Sequence, residues 1–277
     1  MNLKVIHSGM FKLDGGAMFG VVPKVLWNKT NPADNNNLID LAMRCLLVES
    51  DNKLILIDTG IGDKQSEKFF SHYYLHGDHS LKKSLNDNGL DFSDITDVFQ
   101  THLHFDHCGG SVKYDNEKLI PTFSNAKYWS HSNHWDWAVN PNQREKASFL
   151  KENILPIQES GQLYFTDDKN NPFTTFDYIT VDGHTEKQML PVLNYKGRKI
   201  VFTADLIPTS SHVPIPFVMG YDVRPLETLK EKSAFLEEAV DNDYILFLEH
   251  DPFVECCTLK RTEKGIRVDQ TFKLDEI

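Results

Sequence analysis

The chain has 277 residues, 40% of them hydrophobic and 25% charged, a globular composition that allows a sizeable core and excludes intrinsic disorder. Lys and Arg number 29 against 40 Asp and Glu, and the formal charge of -11 repels phosphate backbones and acidic headgroups, which argues against nucleic acid or a membrane as partner. The first residues lack the apolar core of a signal peptide, and no apolar run approaches the ~18 residues of a membrane span.

The four cysteines, Cys45, Cys108, Cys256 and Cys257, show no CxxC spacing, so reduced thiols and a cytoplasmic location are expected. The length fits one domain over 1–277, built from two halves joined around 140–172.

In chain order, apolar runs at 43–49 and 54–58 flank Ser50-Asp51-Asn52-Lys53, whose small polar residues predict a hairpin. The second run stops at Asp58-Thr59-Gly60. Mixed charge with spaced apolar positions predicts helices over 63–74 and 80–88, followed by a short strand at 97–100. Strands are predicted at 176–181, 189–195 and 199–204, with a turn at Lys196-Gly197-Arg198. Pro225 opens a helix through 240, its buried side marked by Leu226, Leu229, Phe235, Leu236 and Ala239. A buried strand over 244–248 ends at Glu249-His250-Asp251. Each half thus delivers metal-type residues from strand ends, where α/β proteins place reactive groups.

The chemistry concentrates in His102-Leu103-His104-Phe105-Asp106-His107, followed by Gly109-Gly110. Three imidazoles and a carboxylate in one tight turn desolvate poorly unless something binds them, and a metal ion is the economical partner. His102 and His104, two apart, reach one ion from the same side of an extended segment, while Asp106 and His107 turn toward a second position.

This run resembles the hallmark of the metallo-β-lactamase fold superfamily, a His-x-His-x-Asp-His motif followed by later single ligands. Candidates for those ligands stand in order at His184, Asp205 and His250, and Asp58-Thr59-Gly60 resembles the family's early structural motif. The resemblance implies an α/β fold, an αββα four-layer sandwich, with two divalent ions, zinc foremost and Mn, Fe or Co as substitutes. It assigns one ion to His102, His104 and His184 and the other to Asp106, His107 and His250, with Asp205 as the bridge. Two such ions, about 3.5 to 4 Å apart, lower the pKa of a shared water toward neutrality and polarise the scissile bond. Asp106 is then the candidate to orient the nucleophile and pass a proton to the leaving group.

The segments Gly15-Gly16-Ala17-Met18-Phe19-Gly20, Asp205 to His212 and Val218-Met219-Gly220-Tyr221-Asp222 are similar to the N-acyl homoserine lactonase branch and its organophosphate hydrolase relatives. That branch implies ester hydrolysis of a small molecule, a lactone first, with phosphotriesters or arylesters as the alternative. Its lactonases carry a tyrosine three residues after the bridging aspartate, where this chain has Pro208; Tyr221 is the candidate replacement. A non-hydrolytic redox or metal-binding module is a more remote reading, since no flavin-binding or Fe–S segment is seen.

Among the remaining residues, His212 lies in a Pro-interrupted loop, where exposure is the expectation and a substrate contact the sharper reading. Phe19 and Met219, with Met18, Trp27 and Phe217, are candidates for an apolar substrate wall, against ordinary core packing. Asp58 is expected to brace the ligand loop through hydrogen bonds. His131 and His134, interleaved with Trp129, Trp135 and Trp137, form either a cap over the site or a loop closure. Cys45 and Cys108 read as packing, and His72, His76 and His79 as a solvated face. A homodimer stays open.

Overall fold

Two six-stranded sheets hold twelve of the fourteen strands of the chain, which is described over residues 1–277 in a computed structural model. The strands are β1 (Asn2–Asp14), β2 (Leu38–Ser50), β3 (Lys53–Ile57), β4 (Asp97–Phe99), β5 (Val112–Asp115), β6 (Lys118–Pro121), β7 (Lys127–His131) and β8 (Leu163–Thr166), then β9 (Phe176–Val181), β10 (Gln188–Tyr195), β11 (Arg198–Phe202), β12 (Ile245–Phe247), β13 (Cys256–Thr262) and β14 (Gly265–Phe272). One sheet runs β1-β2-β3-β4-β7-β8 and the other β14-β13-β12-β11-β10-β9; β5 and β6 form a separate hairpin.

The chain divides into two compact units, Met1–Met10 with Met43–Thr175 and Phe11–Ala42 with Phe176–Ile277. In the first, β3, β4, β7 and β8 pair in parallel, and β3 and β4 are the short apolar runs such doubly covered strands require. The predicted hairpin is present: Leu46 pairs with Ile57, and Asp51 and Asn52 turn with φ of 52° and 61°. Both central residues of a tight hairpin turn need positive φ, which Asp and Asn tolerate. The core of this unit includes Ile6, Cys45, Leu56, Val98, Tyr128 and Ile157. A second cluster, Leu103, Cys108, Trp135, Phe149 and Ile154, packs beneath the His-rich segment.

In the second unit β9 and β10 are antiparallel, β11 and β12 parallel, and the helix Pro225–Asp241 packs on β13 and β14. The rings of Phe202 and Phe247 stack with centroids 5.3 Å apart. No helix in either unit is long and apolar enough to cross a membrane. All four cysteines are free and buried.

Three expectations need correction, and one stretch lies outside them. The helix over 63–74 shrinks to Glu67–Phe70, capped by the Ser66 hydroxyl, because Lys64 is drawn inward to the carbonyl of Gly109. The stretch 140–172 is not a bare connector: it holds the helix Lys151–Glu159 and strand β8, and the chain leaves the first unit only after Thr175. Leu226 points outward, 74% exposed, and the place on the buried face that a hydrophobic count would give to an apolar residue belongs to Lys232. The N-terminal residues form a long strand and two short helices, Gly15–Phe19 and Lys24–Trp27, that no periodicity announced.

These burials set a stability contrast along one helix. Leu236→Ala removes a fully buried side chain and is expected to cost about 2 to 5 kcal/mol in urea denaturation, whereas Leu226→Ala stays within about 0.5 kcal/mol of the parent.

Candidate metal centre

In the first unit the His-rich segment leaves the end of β4 as extended chain and closes in a single turn of helix, Phe105–Cys108. His102, His104, Asp106 and His107 are all buried. The His102 ring lies 4.6 Å from that of His104 and 3.9 Å from that of His107, centroid to centroid. Asp106 Oδ2 lies 4.0 Å from His107 Nε2.

Asp58, fully buried at the end of β3 with φ of 58°, organises this cluster. Its carboxylate accepts the backbone N–H of Thr101 at 2.8 Å, the Thr101 hydroxyl at 2.6 Å and His107 Nδ1 at 3.1 Å. Since Thr101 spends its proton on Asp58, its oxygen receives His102 Nδ1–H at 3.1 Å. Thr59 continues the brace, donating backbone N–H and hydroxyl to the carbonyl of His107. The glycines after the motif have a steric cause: a Cβ on Gly109 would stand 2.1 Å from the carbonyl oxygen of Ile61, and one on Gly110 2.2 Å from that of Thr59.

His134 is neither cap nor loop closure. It is buried, and its Nε2 accepts the backbone N–H of Leu103 at 2.8 Å, holding the middle of the motif. Glu145, which no motif marks, places Oε1 3.4 Å from His104 Nε2 and is itself held by Trp137 Nε1 and Asn142 Nδ2. Phe149 covers His104, ring centroids 4.8 Å apart. Cys108 is packing: its Sγ reaches the carbonyl of Leu103, and burial pushes its thiol up to about 12, which leaves it no thiolate character.

The second unit gathers His184, Asp205 and His250, also buried. Asp205 sits in the turn after β11, with one carboxylate oxygen 3.0 Å from His184 Nε2 and the other 3.4 Å from His250 Nε2. His184 Nδ1 meets Asp222 Oδ1 at 2.9 Å, and His250 Nδ1 donates to the carbonyl of Ala42 at 2.8 Å. The His184 turn is held from the helix Pro225–Asp241, where Glu231 accepts the N–H groups of Asp182 and Gly183 at 2.7 and 3.0 Å. Pro208, at the position where the resemblance called for tyrosine, lends its carbonyl to the backbone N–H of His250. Asp251 accepts both the N–H and hydroxyl of Ser210, and so ties down the start of the following loop.

These donors fit divalent metal. His102, His107, His184 and His250 each present Nδ1 to an oxygen partner, which makes Nε2 the nitrogen that would serve a metal ion; His104 instead sets Nε2 toward Glu145. Burial alone would lower the pKa of His184, but the carboxylates of Asp205 and Asp222 outweigh it and hold the imidazole up at about 10. That surplus of negative charge around an imidazole is what a bound cation neutralises. Imidazole and carboxylate without thiolate is a donor set for Zn, Mn, Fe or Co.

The four candidate substrate residues divide. His212 is 1% exposed, so the expectation of a surface loop fails: Nε2 donates to the carbonyl of Met18 at 2.8 Å, Nδ1 pairs with the Thr209 hydroxyl at 2.7 Å, and Phe19 stacks on the ring. Both nitrogens are therefore occupied. Phe19 and Met219 are buried as core, and Tyr221, 38% exposed, alone reaches the surface. The two glycine-bearing segments singled out in the sequence do meet, Gly220 N–H donating to the carbonyl of Ala17 at 2.8 Å. Lys232, fully buried, donates Nζ to the carbonyls of His212, Pro214 and Phe217 at 2.9, 3.1 and 2.8 Å, and so holds the loop between Asp205 and Asp222.

Mixed α/β sheets flanked by helices, with buried imidazole and carboxylate clusters at strand ends, are the build of a metal-binding α/β protein. The family model of the Metallo-beta-lactamase superfamily matches residues 42–250, and the chain belongs to that superfamily and has its fold. It is similar to an N-acyl homoserine lactonase from Bacillus sp, 26% identical over 237 residues, 77% of this chain and 83% of that protein. Among solved structures, a probable metal-dependent hydrolase from Staphylococcus aureus superposes with a TM-score of 0.89 at 27% identity, covering 98% of this chain and 96% of the other. AidC, a dizinc quorum-quenching lactonase in complex with a product, superposes with a TM-score of 0.79 at 24% identity, covering 98% and 95%. The chain is thus a hydrolase that binds divalent metal.

His212 also sets a pH dependence. Burial, first, and the nearby Lys232 charge pull its pKa from 6.5 to about 4, with the Met18 carbonyl opposing. The unfolded chain therefore takes up this proton at higher pH than the folded one, so stability is full above about pH 6.5 and is lost as pH falls toward 4. Urea denaturation at pH 7.5 and pH 4.5 should show the parent losing on the order of 3 kcal/mol more than His212→Gln.

Proposed function

We propose that the protein opens a lactone, of the N-acyl homoserine lactone class, with a dinuclear zinc centre. The observation that carries the dinuclear assignment is the Asp205 carboxylate, whose two oxygens face two different imidazoles, His184 and His250. A carboxylate so placed would serve as a ligand shared between two ions. His102, His104 and His184 would then hold one ion and Asp106, His107 and His250 the other. On this reading the two units work as one catalytic domain, in the cytoplasm, on a small-molecule substrate. The lactone assignment is supported by the lactonase among the relatives and by the glycine-bearing segments that meet at Ala17 and Gly220.

When bound, the ions supply Lewis acidity and ionise water near neutral pH. The chain's own residues do the rest. Asp58, through Thr101 and His107, and Asp222, through His184, hold the imidazoles in the tautomer and orientation that coordination needs. To Asp106, buried beside His107, this reading gives the tasks of orienting the attacking water and of returning a proton to the alkoxide oxygen of the opened ring. Phe105 and Phe149 keep bulk water from His104 and its neighbours, both rings being buried. Tyr221 offers a phenol donor at the surface for the substrate carbonyl.

Elemental analysis should give about two equivalents of zinc per chain. The zinc-loaded protein should open N-hexanoyl homoserine lactone, followed by proton release, with kcat/KM falling at least about a hundredfold in His104→Ala and in Asp205→Asn. Equal rates in parent and variants would sink the mechanism, and faster turnover of a phosphotriester or arylester than of any lactone would replace the substrate.

A further inference from the structure

The second unit contains a groove of about 530 Å³ that takes no part in the metal cluster. Its volume lies within the roughly 300 to 1,000 Å³ typical of small-molecule sites. Leu26, Val213, Pro214 and Phe217 give it an apolar lining, Lys29 and Arg267 add two cations, and no lining residue is acidic. On a chain whose formal charge is -11, an acid-free groove with two positive charges is a local reversal of sign. Arg267 is half-buried, and its Nη1 is fixed on the carbonyl of Ile266 at 2.6 Å, which leaves the rest of the guanidinium fork to meet an anion.

One wall of the groove is built in advance. The segment from Ser210 to Phe217 is fastened at its start by Asp251, which accepts from the Ser210 N–H and hydroxyl, and along its length by the three hydrogen bonds from Lys232. A preformed wall lowers the ordering cost of binding. Phe217 also meets Phe19 edge-on at 6.2 Å, so the apolar lining continues into the core of the unit.

We propose that this groove is a second small-molecule site, which binds a medium-chain aliphatic carboxylate with its chain over Leu26, Val213, Pro214 and Phe217 and its head group on Lys29 and Arg267. An apolar lining selects for a chain, and two lining cations without a competing carboxylate select for an anionic head. Capture of such a ligand is independent of what the metal cluster hydrolyses.

Isothermal titration of the metal-loaded full chain with decanoate, below its micelle concentration, tests this. One decanoate should bind per chain, with affinity rising roughly threefold per added methylene from hexanoate to decanoate. The K29A/R267A double variant should bind decanoate at least tenfold more weakly while keeping its metal content, and decanol should bind the parent at least tenfold more weakly than decanoate. Excess acetate, which can reach a metal ion but has no chain, should leave decanoate binding unchanged. Equal affinity in K29A/R267A, equal affinity for decanol or decyltrimethylammonium, displacement by acetate, or no binding of decanoate would each overturn the assignment. Phe217→Ala supplies a second check on the chain-binding wall: it should weaken decanoate and leave hexanoate nearly unaffected, and an equal effect on both would count against it.

Discussion

One buried carboxylate conditions the whole His-rich segment. Asp58 has no contact with water, and a carboxylate in that position is tolerable only because Thr101 and His107 satisfy it. The same bonds decide which imidazole nitrogen carries the proton on His107 and, through the Thr101 hydroxyl, on His102. Burial, tautomer and direction are therefore a single constraint. The tight passage of Gly109 and Gly110 past Ile61 and Thr59 follows from it, since the turn that bears Asp58 must run against the chain leaving the motif.

The second unit solves the same problem with different parts. Asp222 fixes His184 as Asp58 fixes His107, but a backbone carbonyl, that of Ala42, serves His250. Glu231 reaches back from a long helix to hold the turn that carries His184. In both units the residue that touches the imidazole is itself held by backbone hydrogen bonds, which makes orientation a property of the fold and not of a free side chain.

The metal-type residues were legible in the sequence because dense imidazole and carboxylate has few other uses, and the hairpin at Asp51-Asn52 was legible because few residues accept that turn. Asp58 was legible by the company it keeps with Thr59 and Gly60. Glu145, Asp222 and Glu231 were not, because an acidic residue in a polar stretch looks the same whether it faces solvent or a histidine. His212 departs from expectation for a related reason: a loop rich in Pro and Ser suggests exposure, and only tertiary packing puts its ring under Phe19. The helix expected over 63–74 failed because Lys64 has a tertiary partner that propensity cannot register.

Lys232 holds its loop entirely through main-chain oxygens. Carbonyl oxygens are the same whatever side chain a residue bears, so the ammonium reads the path of the backbone and is blind to the letters written along it. Three carbonyls of the loop between Asp205 and Asp222 are accordingly held from the helix beneath whatever side chains their residues bear, while Ser210 and His212 fasten the same loop through side chains of their own, so that only the positions outside these anchors can vary without altering its course.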